Sequence, residues 1–284
     1  MHVDKRRLEE NFFRALMLCC TLLVVGSLFA VLAVILINGL PALSIEMLTQ
    51  TPKGGYYLGK EGGILNAIIG TIYLAGGATA AAITISLPVA LYLNMRPAKS
   101  RFSKFVRNSL DILWSVPSIV YGIFGYTIMI YMGMRASLLG GIIALTLLEL
   151  PIMIRAMDEV MRIVPMKLME ASYALGATKI RTALDVIARQ AMPGITMAVM
   201  LALGRAAGDA ASVLFTAGYS DNIPSSLFEP VASLPLAVFF QLGTPFPEVQ
   251  QRAYASAAVL LVMMLLLSAG ARVATKRFSA YVVR

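Results

Sequence analysis

Two opposite charges stand four residues apart in an otherwise apolar stretch: Arg205 and Asp209, in "GRAAGDAASVLFTAG" (204–218). An arginine at membrane depth costs about 2.5–3.5 kcal/mol on insertion scales, so it is expected to face a cavity or a partner. At i, i+4 on a helix Asp209 is placed to pair with it. Two readings follow: a self-neutralised pair that locks helices together, or a guanidinium that grips two oxygens of an oxyanion through its planar fork. Glu149, in "LLELP", is a third charge in an apolar run, two residues before the helix-weakening Pro151. It is expected to turn toward the cytoplasmic mouth or to pair with a neighbouring subunit.

Other chemistries are excluded. Gly54 to Lys60 fits the start of a phosphate-binding loop, G-x-x-x-x-G-K, but Glu61 stands where the magnesium-ligating Ser or Thr belongs. If the protein uses ATP and Mg, a partner hydrolyses it; this chain is expected to bind no cofactor and no metal. The sole histidine is His2, and the two cysteines, Cys19 and Cys20, are adjacent in an apolar run. With no histidine cluster, no paired carboxylates on one helix and no serine–lysine motif, a membrane-embedded enzyme is not supported.

The elements that position these residues are membrane helices. Of 284 residues 58% are hydrophobic and 14% charged, and the mean hydropathy is +0.78; a soluble domain of this size needs more polar surface. About 20 apolar residues span a bilayer. Six stretches qualify: Ala15–Ile37, Ile64–Leu93, Ile112–Met134, Leu138–Ile154, Ile195–Ala217 and Ala253–Ala271. The first is too long for a signal-peptide core and reads as an uncleaved helix. Six spans put both termini on one side. Nineteen of the 24 Lys and Arg residues fall on that side, in the N-terminal segment, the loop after span two, residues 155–189 and the tail. The positive-inside rule therefore makes both termini and the 155–190 loop cytoplasmic. The net charge of +9 sets topology and is no nucleic-acid footprint. On the outer side, residues 218–250 carry five prolines, which preclude one long helix; "VASLPLAVFFQLG" within them is expected to form a short interfacial or re-entrant helix.

The cytoplasmic "EASYALGATKIRTALDVIARQAMPG" (170–194) reads as two short helices with a glycine joint. Pro165 starts the first, Gly176 ends it in the left-handed conformation, and Thr178 caps the second. Ile180, Ala183, Leu184, Ile187 and Ala191 form an apolar stripe. The pattern suits docking into a groove of a cytoplasmic partner, or equally an amphipathic linker lying on lipid headgroups.

"EASYALGA" resembles the EAA loop of ABC-importer permeases, with Glu170, Ala171 and Gly176 matching and Ser172 in place of the third small residue. "PSIVYGIF" (117–124), "PIMIRAMDEVMRIVPMKLMEASYALGATK" (151–179) and the Arg205 stretch resemble the PstA-type permease family of phosphate-specific ABC transporters. Arg205, Gly208, Ala211, Leu214, Phe215, Thr216 and Ala217 match there. Asp209 and Asp158 stand where the family has Glu, Ala210 and Ser212 replace Thr and Pro, and "VIAR" departs from the usual end of the loop.

The resemblance implies an all-α, polytopic membrane protein with six transmembrane helices and the type I ABC-importer permease fold. It implies one permease domain, 1–284, with a cytoplasmic coupling loop at 155–190, in the bacterial cytoplasmic (inner) membrane. Its implied partners are a PstC-type permease subunit, two copies of a PstB-type ATPase, an external PstS-type phosphate-binding protein and membrane lipid, with no nucleic acid. Coupling to the ATPase falls to Glu170, Ala171, Gly176, Thr178 and Lys179; the substrate pathway falls to Arg205, Asp209 and Thr216. An importer permease for another anion or small solute is the nearest alternative, and a secondary transporter working without ATP the next.

Overall fold

A computed structural model of the chain describes residues 2–53, 61–95 and 100–279; the Gly54–Lys60 lookalike lies outside them. The order is α1 (His2–Gly39), α2 (Ile45–Thr49), a minimal antiparallel hairpin β1 (Pro52–Lys53) and β2 (Glu61–Gly62), α3 (Leu65–Met95), α4 (Arg101–Trp114), α5 (Ser118–Tyr131), α6 (Leu138–Arg162), α7 (Met166–Ala174), α8 (Lys179–Arg181), a π-helical stretch (Thr182–Ala188), α9 (Arg189–Gly208), α10 (Leu234–Leu242) and α11 (Pro247–Ser279). Five helices are long and apolar enough to cross a membrane, six when α4 and α5, bent by 100°, count as one broken span.

The centre is α3 against α6. Small residues let them meet: Ala78 and Ala82 of α3 and Ala144 of α6 are fully buried, and Gly77 leaves the space that Ile142 fills. Below this seam α6 carries Met153, Met157 and Met161, one turn apart and buried, against Ala183, Ile187 and Ala191. Methionine, unbranched and flexible, fills such irregular gaps between helices. Helix α1 lies outermost against α11, with its apolar window wholly unburied by the rest of the chain.

Three spans differ from expectation. The third, Ile112–Met134, breaks at Ser115–Pro117. Pro117 favours an extended Val116, and the Tyr121 hydroxyl staples the corner by donating to Leu113 O at 2.7 Å. The fourth extends to Arg162. The fifth begins earlier and ends sooner than Ile195–Ala217: an unbroken helix runs Lys179–Gly208, straight through Pro193. Asp209 leaves helical geometry (φ −86°, ψ 122°), and residues 209–217 form tight turns packed on Gly122, where any Cβ would stand 2.8 Å from Ser212 O. Irregular backbone at this depth is tolerated because protein buries it.

The proline-rich segment 218–250 folds back into the bundle. Its apolar part is α10, capped by Ser233 and buried at Leu234, Leu236 and Ala237. Gly70 of α3 lets Ala232 come so close that a Cβ would sit 1.9 Å from Ala232 O. The same segment caps α6: Leu138 N and Leu139 N donate to Glu229 O and Leu227 O, each at 2.8 Å. Those amides lack intrahelical partners and need such acceptors. Glu229 in turn is held below the usual carboxylate range by Ser225, whose amide (2.8 Å) and hydroxyl (2.9 Å) donate to it.

Candidate functional site

The segment between α6 and α9 forms a knob built from α7 and α8. Helix α7 ends in a Schellman motif: Gly176 N donates to Tyr173 O at 2.9 Å and Ala177 N to Ser172 O at 3.1 Å. Gly176 has φ +79°, the conformation a side chain resists. Thr178 then caps the next helix by accepting from Arg181 N at 3.3 Å. Ser172 and Thr182 bond through their hydroxyls at 2.9 Å and tie the two arms together.

One expectation changes here. The second arm is no separate short helix; it continues through the π-helical stretch into α9, so knob and span are one rod. Its apolar stripe is split. Ala183, Ile187 and Ala191 are buried against the methionines of α6, whereas Ile180 and Leu184 face outward. With Met166 and Leu175 they give the knob an apolar exposed side, Leu175 being 89% exposed. Glu170, Ala171, Gly176, Thr178 and Lys179 are all exposed on it.

Arg205 lies in the last turn of α9, not in mid-helix, about 24 Å of helix beyond Arg189. It is exposed and lines a groove of about 730 Å³ between α6, α9 and α11. The expected Arg205–Asp209 pair does not form. Asp209 caps the end of α9, and its Oδ2 accepts from Ser212 N at 2.8 Å and from the Ser212 hydroxyl. No ion pair engages Arg205 among the described residues. The i, i+4 rule fails because the helix ends one residue before Asp209. Thr216 is fully buried; its hydroxyl donates to Ser212 O at 3.1 Å, and it packs against Gly125 and Gly140, outside the residues that line the groove.

The strongest charge constellation was not legible as a site. Asp158, fully buried, accepts from Arg107 Nε at 2.7 Å, Arg107 Nη2 at 2.9 Å and Asn94 Nδ2 at 2.8 Å. Arg155 adds a 3.5 Å contact to Asp158 and reaches Asp111 at 2.8 Å and Glu159 at 3.5 Å. The cluster fastens α4 to α3 and α6. Its local sequence signals are the Arg155–Asp158 i, i+3 and Arg155–Glu159 i, i+4 spacings. Glu149 turns neither to the cytoplasmic mouth nor to a free surface. It is fully buried between α3 and α6, where its Oε1 accepts from the Thr79 hydroxyl at 3.1 Å.

Membrane-length helices, one of them broken, around a groove lined by Arg205 are an arrangement that suits a membrane permease subunit. The chain belongs to the family of binding-protein-dependent transport system inner membrane components, whose family model matches residues 82–280. It is 34% identical over 239 residues to the phosphate transport system permease protein PstA of Haemophilus influenzae, covering 84% of this chain and 83% of that one. The PstA of Pasteurella multocida is 30% identical and covers 96% of each chain; PstA 1 of Mycobacterium tuberculosis H37Rv is 36% identical, covering 76% and 72%. In fold it matches a chain from an inward-facing crystal structure of the MetNI methionine ABC transporter, with TM-score 0.64 at 20% identity over 76% of this chain and 95% of that one. The protein is thus a multi-span inner-membrane permease subunit of an ABC importer, working with a binding protein and with an ATPase that performs the hydrolysis.

Proposed function

We propose that this subunit carries inorganic phosphate across the inner membrane by alternating access, as one permease domain, 1–284, with residues 155–190 as its coupling loop. The unpaired Arg205 guanidinium in the α6–α9–α11 groove carries the substrate reading. A phosphate dianion in a low-dielectric cavity needs such a charge, and the permeases that the chain resembles are named for phosphate. Its partners would be a PstC-type permease subunit, two PstB-type ATPases that bind ATP and Mg, and an external PstS-type protein. Glu170, Ala171, Gly176, Thr178 and Lys179 would meet the ATPase. Asp209 shapes the turn beside Arg205, and Thr216 supports that turn from behind.

Both termini would be cytoplasmic, as the basic charge bias indicates. In a background lacking Cys19 and Cys20, Ser225→Cys should react with an impermeant reagent added outside, and Ala174→Cys should not. The test of function is uptake of radiolabelled phosphate by the complete complex in proteoliposomes. Uptake should require ATP and the binding protein, and excess sulfate should leave it unchanged. Uptake without ATP, or sulfate uptake at the phosphate rate, would overturn the reading.

A further inference from the structure

We infer that Arg272 is a second anion-binding station, the one from which the transported anion leaves toward the cytoplasm. The inference rests on the phosphate reading and extends it along the groove that Arg205 lines. Arg272 lines that groove at its other end. Met264 of α11 reaches within 3.6 Å of the position a Cβ would take on Gly204, so it marks the level of Arg205. Arg272 is eight residues further along α11, about 12 Å lower. Ser268, midway and on the same helical face, supplies the one hydroxyl among the lining residues.

The charges in the groove are Arg205, Arg272 and Glu159. Glu159 lies within 3.5 Å of Arg155, which offsets the repulsion it would offer an anion. Arg272 is exposed, and no ion pair engages it among the described residues. The other described lining residues are apolar or glycine. A dianion leaving Arg205 therefore meets no other cation in the groove until Arg272. Midway it is about 6 Å from each, inside the screening length of about 8 Å in physiological salt. Passage requires sites that bind well enough to admit the ion and weakly enough to release it, and two stations meet that need better than one deep well.

The test uses the complete complex in proteoliposomes, normalised to assembled transporter. Arg272→Gln should lower the maximal rate of phosphate uptake about tenfold, as expected for one lost charge-assisted contact, with the half-saturating concentration unchanged. Arg272→Lys should retain most of the rate. Lys276→Gln removes the same charge one turn on, outside the groove lining, and should leave the uptake rate per assembled complex unchanged. In a background lacking Cys19 and Cys20, Arg272→Cys should gain rate with a cationic thiol reagent and lose it with an anionic one; this arm reads charge at the site even if Arg272→Gln assembles poorly. Equal responses to the two reagents, or a wild-type rate in Arg272→Gln, would overturn the inference alone. A wild-type complex that imports no phosphate would overturn the substrate reading, and this one with it.

Discussion

Arg107 holds Asp158 with two parallel hydrogen bonds, Nε to Oδ2 at 2.7 Å and Nη2 to Oδ1 at 2.9 Å, in a site closed to solvent on the carboxylate side. The pair joins an amphipathic helix, α4, to the span that leads into the α7–α8 knob. Arg107 also donates to Leu93 O at 3.3 Å, so α3 is fastened by the same group. Removing Arg107 leaves the buried Asp158 with Asn94 and a 3.5 Å contact to Arg155, and removing Asp158 leaves Arg107 largely buried without its carboxylate; each should cost up to about 3–5 kcal/mol. Arg107→Met and Asp158→Leu should each lower the melting temperature and yield of the detergent-solubilised complex sharply. The double variant should recover much of the loss. A double variant as unstable as the sum of the singles would show that the two residues act separately.

The knob at Gly176 makes the second prediction. A Cβ on Gly176 meets nothing within 4 Å, so the cost of a side chain there is the left-handed backbone alone, about 1–2 kcal/mol. Gly176→Val should leave the subunit in the membrane while it unwinds the end of α7. Glu170→Lys reverses a charge on the same exposed face without touching the turn. Both should reduce ATPase copurification and uptake. Normal values of both quantities in both variants would remove the knob from coupling.

The close approach of α3 to the outer segment makes the third. Gly70→Ala would place its Cβ 1.9 Å from Ala232 O, whereas Gly76→Ala meets nothing within 4 Å. Backbone cannot yield as a side-chain tip can, so Gly70→Ala should displace the segment that leads into α10 and abolish assembly. Gly76→Ala should be silent. Limited proteolysis of the 218–233 loop in membranes distinguishes them, with cleavage expected in Gly70→Ala only.

Period and punctuation made much of this fold readable. Apolar run lengths located the spans, and Gly176 and Thr178 announced their turn and cap because both act through local backbone geometry. Hydropathy says nothing of direction, however. The 100° bend between α4 and α5 lies inside one apolar run, and the turns after Gly208 lie inside another. That second break misled the reading of Arg205 and Asp209: their spacing pairs only on a continuous helix. Arg107 and Asp158 meet across 51 residues, a contact that no local pattern encodes.

Glu149 supplies the fourth prediction. Its Oε1 accepts from Thr79, while its Oε2 is buried with no hydrogen-bond partner among the described residues. An isolated carboxylate among apolar side chains is costly, and an amide of the same shape is less so. Glu149→Gln keeps the acceptor for Thr79 and should assemble and transport at close to the wild-type level. Glu149→Lys puts a longer cation in the same place and should fail to accumulate. Loss of uptake in Glu149→Gln, with normal assembly, would show that the acid itself takes part in transport.

Arg205 supplies the last. Were it only the counter-charge of Asp209, neutralising both residues would restore a working protein. The geometry predicts otherwise, because Asp209 spends its carboxylate on Ser212 and Arg205 is left for the groove. Arg205→Gln keeps donors and loses the charge, so it should assemble normally and lose about tenfold to a hundredfold of uptake, the scale of one charge-assisted contact. Arg205→Lys should fall between, since it keeps the charge without the planar fork. Asp209→Asn should act differently: it weakens the cap over residues 209–212, so its losses should appear in thermal stability as well as rate. Side chains with separate partners do not rescue one another, so the double variant should be at least as impaired as Arg205→Gln alone. The measurement is phosphate uptake per assembled complex across the four proteins of the cycle. Recovery of the double variant to the wild-type rate would make Arg205 and Asp209 a functional pair in some other conformation and would withdraw Arg205 from the substrate path.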